Sequence, residues 1–182
     1  MLIGVVLCGG QSTRMGTDKA LLVYHQQPQY LHVAELLNQL CDKVVISCNT
    51  IQLEYFEKKY ELICDNILYQ NAGPMTGVLS VFEKYPNANL FVVGCDYPYL
   101  QLNDLHIIKN NIDCQQKAIC YINKQSGFLE PLLAIYKSAC FKLLNINYLN
   151  GQNSLKLFLK SVDLKTIEPN SVLVLKSVDY PN

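Results

Sequence analysis

Arginine is nearly missing from this chain: of its 15 Lys and Arg residues only one, Arg14, is arginine. Net charge is missing too, because 15 acidic side chains balance the basic ones, so no basic stripe argues for nucleic acid. No apolar run approaches the roughly 20 residues of a membrane span, and the start of the chain lacks the basic and apolar pattern of a secretory signal. Neither a membrane nor a nucleic-acid partner is therefore expected. Metal-ligand spacing is also absent: none of the eight cysteines forms a Cys-x-x-Cys pair, which disfavours structural zinc. Several cysteines sit within or beside apolar runs, as small buried hydrophobes do. Reduced thiols and a cytoplasmic location follow as expectations. His25, His32 and His106 stand apart from the polar clusters, so no catalytic histidine is predicted. No repeat, linker or low-complexity tract interrupts the 182 residues. Half of them are apolar and 16% are charged, the composition of one compact domain spanning 1–182.

What is present concentrates in one stretch. The apolar run Leu2 to Leu7 reads as a buried strand. It feeds into Leu7-Cys8-Gly9-Gly10-Gln11-Ser12-Thr13-Arg14-Met15-Gly16-Thr17-Asp18-Lys19. Glycines let backbone amides approach a ligand, and successive amides form a nest for anionic oxygens. Arg14 adds a planar two-pronged donor and Lys19 a mobile charge. The sole arginine in this segment points to a geometric need for phosphate there. The alternative, a solvated turn with an incidental cation, explains the coincidence of strand, glycines and both cations less well. The spacing excludes two familiar cradles. A P-loop has Lys directly after its second glycine, whereas Gly16 is followed by Thr17-Asp18-Lys19. The dinucleotide fingerprint needs Gly-x-Gly-x-x-Gly, which Gly9-Gly10 and Gly16 do not supply.

Further along, Tyr30, Val33, Leu37 and Leu40 recur at helical spacing over 28–40. Lys43 to Cys48 reads as a second strand with Ser47 and Asn49 at its carboxyl end. Leu53, Phe56 and Tyr60 suggest a short helix, and Leu62 to Cys64 a brief strand ending at Asp65. Gly73-Pro74 opens a helix with a stripe of Met75, Val78, Leu79 and Phe82. Leu90 to Gly94 is a strand followed by Cys95-Asp96-Tyr97-Pro98. Asn103 is expected to cap a helix bearing Leu105, Ile108 and Ile112. Strands are expected at 118–122, 130–136, 162–167 and 172–175, and helices at 138–149 and 153–159. Strands alternating with helices imply an α/β fold: three layers, Rossmann-like, with a mostly parallel sheet. Such sheets bind ligands beyond the carboxyl ends of their strands, where the glycine segment, Ser47-Asn49 and Asp96 all fall. Asp96 reads equally well as a carboxylate for a divalent ion or as an Asp bonding the amides of its own turn.

The glycine segment, extended through Ala20-Leu21-Leu22, resembles the signature of the molybdenum cofactor guanylyltransferases (MobA type). Cys8 stands where alanine is usual. Val92-Val93-Gly94-Cys95-Asp96-Tyr97-Pro98 is similar to the family's strand ending in a magnesium-binding aspartate. The resemblance implies a nucleotide-diphospho-sugar transferase type of fold with an amino-terminal nucleotide half and a carboxyl-terminal acceptor half. It implies an enzyme moving GMP from GTP to molybdopterin with release of pyrophosphate and Mg²⁺ as cofactor. Arg14, Lys19 and Asp96 are then the catalytic residues, Asp96 the metal ligand. Leu7, Cys8, Gly9, Gly10, Lys19, Ser47, Asn49, Asp65, Gly73 and Asp96 are the nucleotide-binding set. Asp65 also reads as a turn cap. Gly73-Pro74-Met75-Thr76-Gly77 resembles the helix start beside the nucleotide, and Glu130 to Tyr136 and Ser154-Leu155-Lys156 resemble acceptor-side segments. Weak contacts with molybdoenzyme-maturation proteins are implied as well. The family's closing segment is reduced here to Lys176 to Asn182. Asp18 before Lys19 favours a guanylyl donor. CTP or another acceptor phosphate, and a nucleotide-binding module without catalysis, are the competing readings; a nicotinamide reductase lacks its fingerprint.

Overall fold

The computed structural model describes residues 1–9 and 18–177. Seven strands form one sheet: β1 (Leu2–Leu7), β2 (Lys43–Cys48), β3 (Glu61–Cys64), β4 (Asn89–Gly94), β5 (Ala118–Asn123), β6 (Phe128–Tyr136) and β7 (Leu164–Ile167). Their order is β3-β2-β1-β4-β6-β5-β7. β6 pairs antiparallel with both neighbours and every other pairing is parallel. The helices are α1 (Gln29–Asn38), α2 (Pro74–Lys84), α3 (Leu102–Asn110), α4 (Cys140–Leu149) and α5 (Leu155–Lys160). Residues of α1 and α3 share one buried cluster with one face of the sheet, and residues of α2, α4 and α5 share another with the opposite face. These are the three layers that the alternation of strands and helices implies. No helix among the described residues is long and apolar enough to cross a membrane.

The helix stripes are where the 3.6-residue period puts them. Tyr30, Val33 and Leu37 of α1, and Met75, Val78, Leu79 and Phe82 of α2, are all buried. Each such side chain contributes about 2 kcal/mol relative to exposure. Gly77 sets how closely α2 lies on the sheet: a Cβ there would stand 2.7 Å from Leu7 Cδ1 and would collide with Ser47 Oγ. Pro131 is tolerated in β6 because it falls at a break in pairing. The register jumps from Cys120↔Ala134 to Tyr121↔Glu130, leaving Pro131 without a ladder partner on β5.

Three local expectations give way to other structure. The helix cap of α3 is Gln101, not Asn103; its side chain and that of Asp104 form a reciprocal capping box. Residues 172–175 form a 3₁₀ turn rather than a strand. Ser171 caps it, and Val174 and Leu175 are buried while Val172 and Leu173 are half exposed. The helix expected around Leu53 and Phe56 is only the 3₁₀ turn Gln52–Glu54, because Asn49 and Gln52 bracket the chain there. Phe56 is instead buried by stacking on Tyr30, ring centres 4.2 Å apart.

Candidate active site

The chain runs from β1 outward to β2 and β3, then returns across β1 to place β4 on its other side. The carboxyl ends of β1 and β4 therefore flank the point where the strand order reverses, the place open α/β sheets use for ligands. Register fixes what meets there. Leu7 pairs with Gly94, and the Cys95 amide donates to the Leu7 carbonyl at 3.3 Å. Gly9 and Asp96 each lie two residues beyond that pair, so the glycine segment and the acid start side by side. Gly10 and Arg14, expected in the cradle, lie outside the described residues, as do residues 178–182.

Asp65 closes over the start of the glycine segment. Its amide donates to the Cys48 carbonyl at 2.9 Å, and its Oδ2 lies 3.0 Å from where a Cβ on Gly9 would be. Oδ1 is buried with no hydrogen-bond partner among the described residues. Burial alone lifts this carboxyl from its ordinary 3.8 to about 6. Such an oxygen, left bare at a ligand edge, is a receptor for an N–H or O–H group.

Asp96 folds back over the end of β4: a Cβ on Gly94 would stand 2.7 Å from its Oδ1, which is buried. The turn that follows is held from across the site. Gln29 Nε2 donates to the Tyr97 carbonyl at 3.2 Å, and His25 Nε2 lies 2.7 Å from the Pro98 carbonyl. His25 is thus a support of the acid's turn, although nothing in its sequence position suggests it. Tyr97 OH donates to Glu130 Oε2 at 3.1 Å. Burial first, and then the charge of Asp96, push the Glu130 carboxyl upward, while this hydrogen bond from Tyr97 and, less, the charge of Lys156 pull it down. The two segments resembling the acceptor side, around Glu130 and Lys156, therefore reach the neighbourhood of Asp96. Lys156 Nζ also sits 3.7 Å from the centre of the half-exposed Phe128 ring.

The remaining expected residues divide. Lys19 opens the 3₁₀ turn Lys19–Leu21, which Asp18 caps by accepting from the Ala20 amide at 2.9 Å. Leu7 and Cys8 are buried, with the Cys8 amide bonded to the Ser47 carbonyl at 3.0 Å. Ser47 is wholly buried beneath Gly77, so its side chain packs α2 and is sealed from the ligand edge in this conformation. Asn49 exchanges two hydrogen bonds with Gln52: Oδ1 accepts from the Gln52 amide at 3.0 Å, and its own amide donates to Gln52 Oε1 at 2.9 Å. Gly73 begins α2 with a positive φ of 56°, a conformation that glycine adopts at little cost.

Two features escape sequence reasoning. Gln52 is buried and bonded on every side. The first four strands also end in a row of thiols. Cys48 pairs with Cys64 across β2 and β3, and Cys8 and Cys95 follow the Leu7↔Gly94 pair. Burial raises the Cys8 thiol, with Cys95 adding to the effect, and lifts Cys48 to about 12. Cys8 and Cys48 are thus held as neutral thiols. All eight cysteines are unpaired thiols.

The family model of the MobA-like NTP transferase domain matches residues 4–166. The chain belongs to the MobA-like NTP transferase family. It is 30% identical, over 89% of its length and 83% of the relative's, to a probable molybdenum cofactor guanylyltransferase of Thermococcus gammatolerans. It is also 30% identical, over 99% of its length, to a molybdenum cofactor biosynthesis bifunctional protein of Synechocystis, of which it spans about half, 52%. Among solved structures, the molybdopterin-guanine dinucleotide biosynthesis protein A of Archaeoglobus fulgidus superposes on the whole chain with a TM-score of 0.77 at 20% identity, 93% of that chain being covered. A nucleotidyl transferase of Methanothermobacter has a TM-score of 0.76 at 16% identity, over 99% of this chain and 92% of that one. The fold is thus common to this chain and to those structures.

Among the described residues no group of three or more His, Cys, Asp and Glu side chains could hold a metal ion. Asp96, with Glu130 beside it, offers hard oxygen donors only. That set suits magnesium, which takes one or two carboxylates and completes its shell with phosphate and water oxygens.

Proposed function

We propose that this MobA-like transferase moves GMP from GTP onto the terminal phosphate of molybdopterin and releases pyrophosphate. One observation carries the reading: the Leu7↔Gly94 pairing starts the glycine segment and the Asp96 turn side by side at the strand-order reversal. A site that transfers a nucleotidyl group must grip a triphosphate, neutralise it and orient an acceptor, which is mainly positioning and electrostatics. The glycine segment, with Arg14 and Lys19, would grip and neutralise phosphates. Asp65 would accept hydrogen bonds from the nucleoside, and a guanine offers adjacent N–H groups on one edge. Asp96, with Glu130 beside it, would hold Mg²⁺, which when bound supplies positive charge to the phosphate oxygens. An acceptor phosphate oxygen is already ionised at neutral pH, so the site needs no strong general base. That oxygen forms the new bond to the α-phosphorus, and the α–β bridging bond breaks with its electron pair leaving on pyrophosphate.

Support comes also from the relatives named molybdenum cofactor guanylyltransferase. The test is pyrophosphate release from GTP by the purified protein with Mg²⁺ and molybdopterin. Turnover well above that of an Asp96→Ala variant is expected, and turnover no higher than the variant's overturns the reading. Thermal shifts with GTP, ATP, CTP and UTP fix the donor, with GTP expected to give the largest.

A further inference from the structure

Gln52 touches both ends of the glycine segment. Its side-chain amide has two N–H groups. One donates to the Cys8 carbonyl at 3.2 Å, where the segment begins, and to Asp18 Oδ2 at 2.6 Å, where it ends, the amide also serves as donor. Its carbonyl accepts from the Asn49 amide at 2.9 Å, so both donors and the acceptor are used. The side chain is buried. Asp18 is held by more than Gln52: Tyr55 OH donates to the same Oδ2 at 2.7 Å, and Oδ1 caps the turn that Lys19 opens. A single neutral side chain thus ties the exit of β1, the loop after β2 and the turn carrying Lys19. An amide is suited to this task. A carboxylate would face both the Asp18 carboxylate and a carbonyl as a third acceptor, and an apolar side chain would remove the bonds to the Cys8 carbonyl and the Asn49 amide and leave Asp18 Oδ2 to Tyr55 alone.

We infer that Gln52 is a positioning residue that clasps the two ends of the glycine segment and so sets the reach of Lys19 toward the phosphates of the nucleoside triphosphate donor. The inference rests on the transferase reading given above. It predicts an effect on the phosphates rather than on the nucleoside, because Asp65, which faces Gly9, is not among Gln52's partners. It also predicts an effect on the segment itself in the absence of any ligand. The second prediction is readable because an arginine-specific protease has one site in the whole chain, after Arg14, inside the segment.

The experiment compares wild type with Gln52→Glu and with the double variant Gln52→Glu/Asp18→Asn, in which the donor and acceptor of the 2.6 Å bond exchange places. Calorimetry measures binding of GTP with Mg²⁺ and of guanosine, and a time course follows cleavage after Arg14 without ligand. Gln52→Glu is expected to weaken GTP about 10-fold or more, to leave guanosine within about 2-fold, and to speed cleavage about 10-fold. The double variant restores the bond to position 18 but still sets a carboxylate oxygen against the Cys8 carbonyl, so it is expected to recover part of the GTP affinity and to slow cleavage again relative to Gln52→Glu. Should Gln52→Glu fail to fold, Gln52→Asn, one methylene too short to reach both partners, is put through the same comparison. Equal weakening of GTP and guanosine, unchanged cleavage, or a double variant no better than the single one overturns the inference. Wild type that binds no GTP would refute the transferase reading, and the cleavage arm would still decide whether the clasp exists.

Discussion

Asp65 allows a quantitative test, because removing its charge should make the protein more stable and less able to bind nucleotide. Burial raises its carboxyl from 3.8 to about 6. A shift of about 2 units corresponds to about 3 kcal/mol at 1.36 kcal/mol per unit. Part of the group reaches solvent, which screens the charge, so about 1.5 kcal/mol is the working figure. Below pH 3.8 the carboxyl is protonated in both folded and unfolded chains and costs nothing. As the pH rises through about 6 the folded protein has to carry a poorly hydrated charge, and that stability is lost. Asp65→Asn is neutral at every pH and nearly the same shape. It should therefore gain about 1.5 kcal/mol at pH 8, or about 3–6 °C in Tm for a chain of this size, and nothing at pH 4. The assay is thermal or urea unfolding of both proteins from pH 4 to pH 8, without nucleotide, followed by GTP titration at pH 8. A gain that is absent at pH 8, or equally large at pH 4, refutes the claim that a desolvated charge sits over Gly9. A gain in stability with unchanged GTP affinity refutes only the role given to Asp65 in holding the nucleoside.

Asp96→Asn should lower turnover by 10²-fold or more, the scale of losing a group aimed at transition-state charge, with Tm moved by no more than a few degrees; pyrophosphate release and thermal melting check both. Lys19→Gln should weaken GTP by about 10- to 100-fold, the value of hydrogen bonds to a charged group, and leave guanosine binding alone in calorimetry. Gly77→Ala should destabilise the protein by about 1 kcal/mol in urea unfolding, the middle of a net range of about 0–2 kcal/mol. Alanine is the better helix former by about 1 kcal/mol, but its Cβ would press on Leu7 and Ser47, and overpacking costs about 1–3 kcal/mol. A stabilised Gly77→Ala would show that α2 can lift from the sheet freely.

The strands and the main helices were legible because their information is local. Val5, Val6 and Leu7, or Val44, Val45 and Ile46, are continuous apolar runs with no competing period, and all six are buried. The reversal of strand order was not legible, since no residue between β3 and β4 states on which side of β1 the chain will return. Yet the carboxyl-end rule needs no knowledge of order: it pointed to the glycine segment, Ser47-Asn49 and Asp96, and the Leu7↔Gly94 pair does start the first and last of these side by side. The misses share a cause. Gln52, Gln29 and His25 act through backbone carbonyls 44, 68 and 73 positions away in sequence. A side chain that bonds a remote carbonyl leaves no spacing pattern behind it. Cap preference points to Asn103, because asparagine is the stronger cap, whereas the Gln101 backbone amide donating to Asp104 Oδ2, together with the bond that the Gln101 side chain accepts, sets the cap at Gln101 in the fold.

The thiol row explains how the site can carry several acids and still be built on a sheet edge. A side chain at the end of β1, β2 or β4 has to be small, because it packs in one buried cluster with residues of α1 and of the turn after β4. It also has to be uncharged, since any further carboxylate would add to the burden already carried by Asp65 and Glu130, both raised by desolvation. Cysteine meets both conditions: Cys8 and Cys48 are buried, and burial holds them as neutral thiols far above neutral pH. Among the described residues, the charged groups gathered around this edge are Asp65, Asp96 and Glu130 with Lys19 and Lys156, and the neutral thiols beneath them add an apolar floor that screens none of these charges.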